Sequence, residues 1–158
     1  FRRGSSDLGF LTISSFLQLN RSYILVADLG ARCIKYVSPN GCGTFAGTCD
    51  HFSLKGIGHT KGGRLELTQF AQPRAMVLSP LTKRNIYLAD KDTMLLLDLS
   101  VRNVTIVIEA SQLSHNKVTY IAAYQDKLFL STTEPRVIEF DCRTMLITRA
   151  VEFRNSLR

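Results

Sequence analysis

Residues 85–110 read NIYLADKDTMLLLDLSVRNVTIVIEA, and the reading of this stretch decides the fold. Ile86, Tyr87, Leu88 and Ala89 make an apolar run that ends on Asp90, and Lys91-Asp92-Thr93 turns the chain. Residues 94–99 form a second apolar run, residues 100–103 a second polar turn, and residues 104–110 a third run rich in β-branched side chains. Short runs of this composition, bounded by turn residues, predict three antiparallel strands. No part of the chain carries a sustained 3.6-residue period, so helices are not expected.

The same cassette recurs on both sides. ILVADLGARCIKYV (residues 24–37) lies over IYLADKDTMLLLDL (residues 86–99) without a gap, at an offset of 86 − 24 = 62. LFLSTTEPRVIEFD (residues 128–141) follows at 128 − 86 = 42. Asp28 and Asp90 close the first strand in two copies, where a carboxylate can accept backbone N–H groups of the following turn; Ser131-Thr132 stands there in the third. One apolar strand precedes each copy (residues 10–14, 75–79, 118–122) and one follows it (residues 43–47, 104–110, 145–151). A four-stranded meander cannot bury both faces alone. Stacked around an axis, such meanders become the blades of a β-propeller, and strands covered on both faces read as near-continuous apolar runs. The fold class is therefore all-β, with four-stranded antiparallel blades: blade 1 over about 8–49, blade 2 over 73–112 and blade 3 over 116–152. Residues 50–72 form an insert whose Gly56, Gly58, Gly62 and Gly63 predict an irregular, exposed loop.

The pattern Pro73-Arg74-Ala75-Met76-Val77-Leu78, then Asn85-Ile86-Tyr87-Leu88-Ala89-Asp90, a short turn and an apolar strand resembles the NHL repeat. Residues 32–37 and 136–141 resemble the family's charged strand, residues 43–47 its closing strand, and Gln69-Phe70-Ala71-Gln72-Pro73 the lead-in to a blade. Ala75 in place of Gly and Ser131-Thr132 in place of Ala-Asp depart from the pattern. The resemblance covers nearly the whole chain and implies a six-bladed ring. Three units are an open arc, and bare sheet edges invite aggregation. Further blades, from the same or another chain, are expected to complete it.

The 158 residues suffice for one domain with its own core, and the 45% hydrophobic and 21% charged content is that of a globular protein. No apolar run approaches the roughly 20 residues of a membrane helix. The opening FRRGSSDLGF has no Met and no long apolar leader, so the chain is expected to be part of something longer or a processed product. A net charge of +7 favours anionic partners, but the basic residues are scattered and make no nucleic-acid arm.

Cys33, Cys42 and Cys49 cluster, while Cys142 stands apart, and none has the paired spacing of a zinc site. With residues 39–41 as a hairpin turn, Cys33 falls opposite residues 47–49, which leaves a Cys33–Cys49 bridge open. A Cys42–Cys49 bridge needs residues 43–48 to loop, because seven extended steps span about 23 Å and bridged Cα atoms lie within about 7 Å. Cys142 would pair outside this chain or stay reduced. Asn20-Arg21-Ser22 and Asn103-Val104-Thr105 are glycosylation sequons, with Asn103 predicted in a turn. Clustered cysteines and sequons point to a secreted or cell-surface protein.

Candidate chemistry is thin. Asp50, His51 and His59 fit no standard metal spacing, and residues 56–63 fail the phosphate-loop order and have no helix after them, so neither metal nor cofactor is expected. Lys55, His59, Lys61 and Arg64 form a basic loop that could touch an anion; the repeated places of Asp28 and Asp90 make them structural turn caps rather than catalytic acids. The favoured function is a non-enzymatic interaction module that binds a protein or glycan through its loop face. What the resemblance implies as alternatives is a metal-dependent amidating lyase or hydrolase, or an intracellular RNA-binding module.

Overall fold

A computed structural model describes residues 9–49 and 60–153. The strands are β1 (Ile13–Asn20), β2 (Tyr23–Asp28), β3 (Cys33–Ser38), β4 (Gly41–Ala46), β5 (Gly63–Arg64), β6 (Pro73–Leu78), β7 (Asn85–Asp90), β8 (Thr93–Asp98), β9 (Asn103–Ile108), β10 (Val118–Tyr124), β11 (Lys127–Thr132), β12 (Arg136–Asp141) and β13 (Leu146–Glu152). They build three antiparallel sheets, β1-β2-β3-β4, β6-β7-β8-β9 with β5 added beyond β9, and β10-β11-β12-β13. The three leading strands lie side by side, with β6 touching both β1 and β10, so the sheets fan out from a common inner edge as blades.

Each pair of neighbouring blades encloses one apolar layer. Leu25, Ala27 and Ile34 of blade 1 meet Met76, Leu88 and Leu95 of blade 2. Tyr87, Ala89 and Met94 on the other face of blade 2 meet Ile121, Leu130 and Ile138 of blade 3. The middle blade is thus covered on both faces, which is why residues 86–90 are buried without a break. Burial of apolar area at about 25 cal/mol per Å² drives this stacking. Edge-to-face packing of Tyr87 on Phe140, at 6.0 Å between centroids, adds to it. Burial first, and the Cys142 thiol beside it, push the Tyr87 hydroxyl well above the usual phenol range against a smaller opposing contribution from Ser79.

The hairpin registers correct the sequence alignment. Asp28 pairs with Cys33 and Asp90 with Thr93, so the first blade turns over residues 29–32 and the second over residues 91–92 alone. The gapless offset of 62 holds up to the aspartate and becomes 97 − 37 = 60 beyond it, since Val37 pairs with Ile24 and Leu97 with Ile86. Lys91 sits at φ 57° to close the tighter turn.

The insert is also corrected in part. Residues 50–59 lie outside the described residues, but residues 60–72 are no free loop. β5 pairs with β9, Lys61 bridges to Gln69, and Leu65, Thr68 and Phe70 are buried. Phe70 wedges between blades 1 and 2. A Cβ on Gly47 (φ 85°) would come within 2.9 Å of its ring and 3.3 Å of the Cys33 Cβ, so only glycine fits there.

Candidate functional site

One end of the blades is organised by the aspartates. In every blade the residue after the second strand donates its N–H to the segment leading into the first strand: Leu29 to Thr12, Lys91 to Gln72 and Thr133 to Lys117. Asp28 and Asp90 reinforce this tie. The Asp28 carboxylate accepts the N–H groups of Leu11 and Thr12, both at 3.1 Å, and of Ala31 at 3.0 Å. Asp90 accepts Ala71 N–H at 2.8 Å, Gln72 N–H at 2.5 Å and the Thr60 hydroxyl. The caps therefore reach mainly back to the lead-in of their own blade, and only Ala31 belongs to the following turn. This chain-distant partner, 16 to 19 residues away, is what the sequence pattern did not reveal. Blade 3, with Thr132 here, uses Asn116 instead: its side chain donates to Glu134 and accepts from the Thr133 hydroxyl.

The two aspartates differ in charge environment. Lys35 Nζ lies 2.7 Å from Asp28 Oδ2, and both side chains are buried. The same ammonium donates to the Gly9 carbonyl at 2.7 Å and sits 5.1 Å above the Phe10 ring. Burial pushes the Asp28 carboxyl up, but Lys35 and the N–H groups of Thr12, Ala31 and Leu11 together outweigh it and hold the carboxyl below its usual range. Blade 2 has Leu95 at the place of Lys35, each paired with the central residue of the second strand. Burial then wins: the Asp90 carboxyl is held above its usual range despite Thr60, Ala71 and Gln72, and Asp92 nearby adds to the rise. Both carboxylates are fully buried and tie the lead-in segments to their blades.

The opposite end of the middle blade is where the surface is unusual. A shallow cleft of about 340 Å³ is lined by Lys83, Arg84, Leu99 and Ser100. Leu99 N–H donates to the Arg84 carbonyl at 2.9 Å, fixing the loop of residues 79–84 against the following turn. Leu81 and Val101 (71% exposed) stand beside it, and Leu67 adjoins Glu66, which Arg102 grips at 2.5 Å.

Of the basic insert residues, Lys61 and Arg64 are exposed on the segment leading to and through β5, and Arg64 lies 4.0 Å from Glu66. Lys55 and His59 lie outside the described residues. Cys33 and Cys49 are joined, with Cα atoms 4.9 Å apart. Cys42 is an exposed free thiol and Cys142 a buried one. Asn20 ends β1 in an exposed turn and its Oδ1 accepts Ser22 N–H at 2.9 Å. Asn103, in contrast to its predicted turn position, is the half-buried first residue of β9, flanked by Asp98 and Arg64. Among the described residues no group of three His, Cys, Asp or Glu could hold a metal ion, and no helix is long and apolar enough to cross a membrane.

No family model matches the sequence, and comparison with curated proteins finds no match. Solved structures do match. The WD40 domain of Neurospora crassa Pan2 is similar at a TM-score of 0.56 and 15% identity, over 89% of this chain and 36% of that one. The β-propeller domain of Cps50 (Swd1) from Myceliophteria thermophila is similar at 0.55 and 17%, over 84% and 38%. The extracellular domain of a one component system from B. thetaiotaomicron is similar at 0.58 and 14%, over 92% and 17%. The fold is that of a β-propeller. The chain spans well under half the length of these propellers, and at such identities the likeness concerns the fold alone.

Proposed function

We propose that this chain is the recognition part of an NHL-like propeller that acts outside the cell or at its surface, without catalysis, and binds a protein through the loop end of its middle blade. The observation that carries this reading is the cleft of Lys83, Arg84, Leu99 and Ser100 with Leu81 and Val101 beside it. Aliphatic contacts next to paired cations suit an acidic protein surface with an apolar patch better than a glycan, which is read by aromatic platforms and polar networks. Blade bounds of about 8–49, 73–112 and 116–152 within a six-bladed ring follow from the repeat. The Cys33–Cys49 disulfide supports an oxidising compartment, and exposed Asn20 is the better glycan acceptor of the two sequons.

The test applies the labelled protein, secreted from eukaryotic cells, to a panel of cell types and measures binding by flow cytometry. K83E/R84E and L81D/V101D should each weaken binding by about tenfold or more, as for loss of a central contact, with melting temperatures unchanged. Equal binding by both variants overturns the reading. A second reading, RNA binding, uses the same two cations. It replaces the first if K83E/R84E abolishes a steeply salt-dependent RNA affinity while L81D/V101D does not. Loss of a glycosidase-sensitive mass shift in N20Q, and not in N103Q, tests the glycan.

A further inference from the structure

Where blade 3 packs on blade 2, a phenol meets two sulfur atoms. The Tyr87 hydroxyl on β7 donates to Met145 Sδ at 3.6 Å, across 58 residues of chain. The buried Cys142 thiol lies beside the same hydroxyl. Met145 and Ile147 pack against the apolar layer between the two blades.

The turn that carries Met145 is held from several directions. The Asp141 carboxylate accepts the N–H groups of Arg143 at 2.8 Å and Thr144 at 2.9 Å, and the Asp141 carbonyl accepts Met145 N–H at 2.9 Å. Cys142 N–H donates to the Asp126 carbonyl at 2.9 Å, and Arg143 Nε to the Asp126 carboxylate at 2.8 Å. Met145 sits at φ 59°, a left-handed backbone that a non-glycine residue keeps only where its surroundings fix it. The thioether is therefore presented at one place on the Tyr87 hydroxyl, half-buried.

Burial ranks the oxidisable sulfurs. The chain has three methionines. Met76 and Met94 are buried, whereas Met145 reaches solvent in part. Burial pushes the Cys142 thiol up further than the Tyr87 hydrogen bond pulls it down, so Cys142 stays protonated and poorly nucleophilic. A thioether has no proton to lose before it reacts.

We propose that Met145 is a reversible oxidation site, a thioether latch on Tyr87 that a hydroperoxide opens. A sulfur lone pair attacks the terminal peroxide oxygen, and the O–O bond breaks as the S–O bond forms. The peroxide proton passes to the leaving oxygen, which departs as water or an alcohol. Sulfur gives up two electrons and the peroxide takes them. A methionine sulfoxide reductase with a thiol donor reverses the change. The product is polar and larger at the atom that Tyr87 touches, and the pinned turn cannot swing away. Blade 3 then shifts against blade 2, and the closely packed layer between them loosens.

The test applies hydrogen peroxide to the whole chain and follows oxidation residue by residue by peptide mass spectrometry, which keeps the exposed Cys42 thiol apart from Met145. Met145 should gain one oxygen about tenfold faster or more than Met76 and Met94, which react only on local opening. The oxidised protein should melt about 2–4 °C lower or more. Methionine sulfoxide reductase with a thiol donor should return the Met145 peptide to its original mass. M145L keeps the volume and should show no loss of melting temperature with peroxide, which separates Met145 from Cys42 as the cause. In Y87F the sulfur lone pair is free of its donor, and Met145 should oxidise about twofold faster or more, the share of a weak hydrogen bond. Met76 and Met94 in that variant report any general loosening. Equal rates at the three methionines overturn the proposal. So do an oxidised Met145 with an unchanged melting temperature, the same loss in M145L, a Met145 rate in Y87F equal to wild type, and a sulfoxide that the reductase cannot reach. Binding by the loop end stands or falls without this result.

Discussion

Asp28 and Asp90 occupy one place in two successive blades and accept the same pair of lead-in N–H groups, yet their carboxyls shift in opposite directions. The largest difference is the side chain across the hairpin, Lys35 in blade 1 and Leu95 in blade 2, with the Ala31 N–H on Asp28 and the charge of Asp92 near Asp90 acting in the same sense. A buried carboxylate with N–H donors alone does not offset its desolvation here; with an ammonium at 2.7 Å it does. The repeat motif thus specifies a hydrogen-bonding role, and the neighbouring strand sets its charge state.

The comparison can be broken most forcefully at Asp28. D28N leaves the Lys35 ammonium buried without its counter-charge and should cost about 3–5 kcal/mol in urea unfolding, against a small change for D90N. Equal losses in the two variants would show that Lys35 finds another partner and that the blades are alike. Next in size, C33S/C49S opens a link of sequence separation 16 and should cost about 3 kcal/mol, detected as a lower denaturant midpoint under oxidising conditions that vanishes on reduction of the wild type.

K35L turns blade 1 into a copy of blade 2 and should cost about 1–3 kcal/mol at neutral pH. Its sharper signature is in the pH dependence. A depressed carboxyl gives stability that is present above the ordinary value of about 4 and lost as pH falls through the folded-state value. A raised carboxyl does the reverse: the folded state keeps its proton longer, so stability declines as pH rises from about 4 to the folded-state value. K35L should convert the Asp28 contribution from the first form to the second, seen as loss of the acid-side fall in a urea midpoint series. The smallest effect is D90N, about 1 kcal/mol at neutral pH: the amide keeps one acceptor oxygen and loses the other, while the buried charge whose desolvation opposes folding is removed. It should remove the decline above about pH 4 that Asp90 causes, and an unchanged slope would place that decline elsewhere.

Most of the strands, their grouping into three sheets and the recurrence of Asp28 and Asp90 were legible in the sequence, because apolar runs and turn residues are local signals; the leading strand of blade 1, expected over residues 10–14, runs instead over Ile13–Asn20. So was the possible Cys33–Cys49 bridge, from counting across a hairpin. The turn lengths were not, since a two-residue difference after Asp28 leaves the hydrophobic pattern intact. The insert misled because its glycines announce a loop, whereas Leu65 and Phe70 are held by blades far apart in the chain. The Lys83–Arg84 cleft escaped because each half of it, the loop of residues 79–84 and the turn around Ser100, is an ordinary polar connection by itself.

Local chemistry along the chain determined that this protein is made of thin repeated sheets, since pattern and propensity act over a few residues. Only the packed molecule decided which carboxyl is paired with a cation and which phenylalanine is wedged between blades. Those outcomes depend on groups brought together from distant positions, where desolvation and Coulomb attraction compete at a few ångströms, and no linear pattern carries that distance.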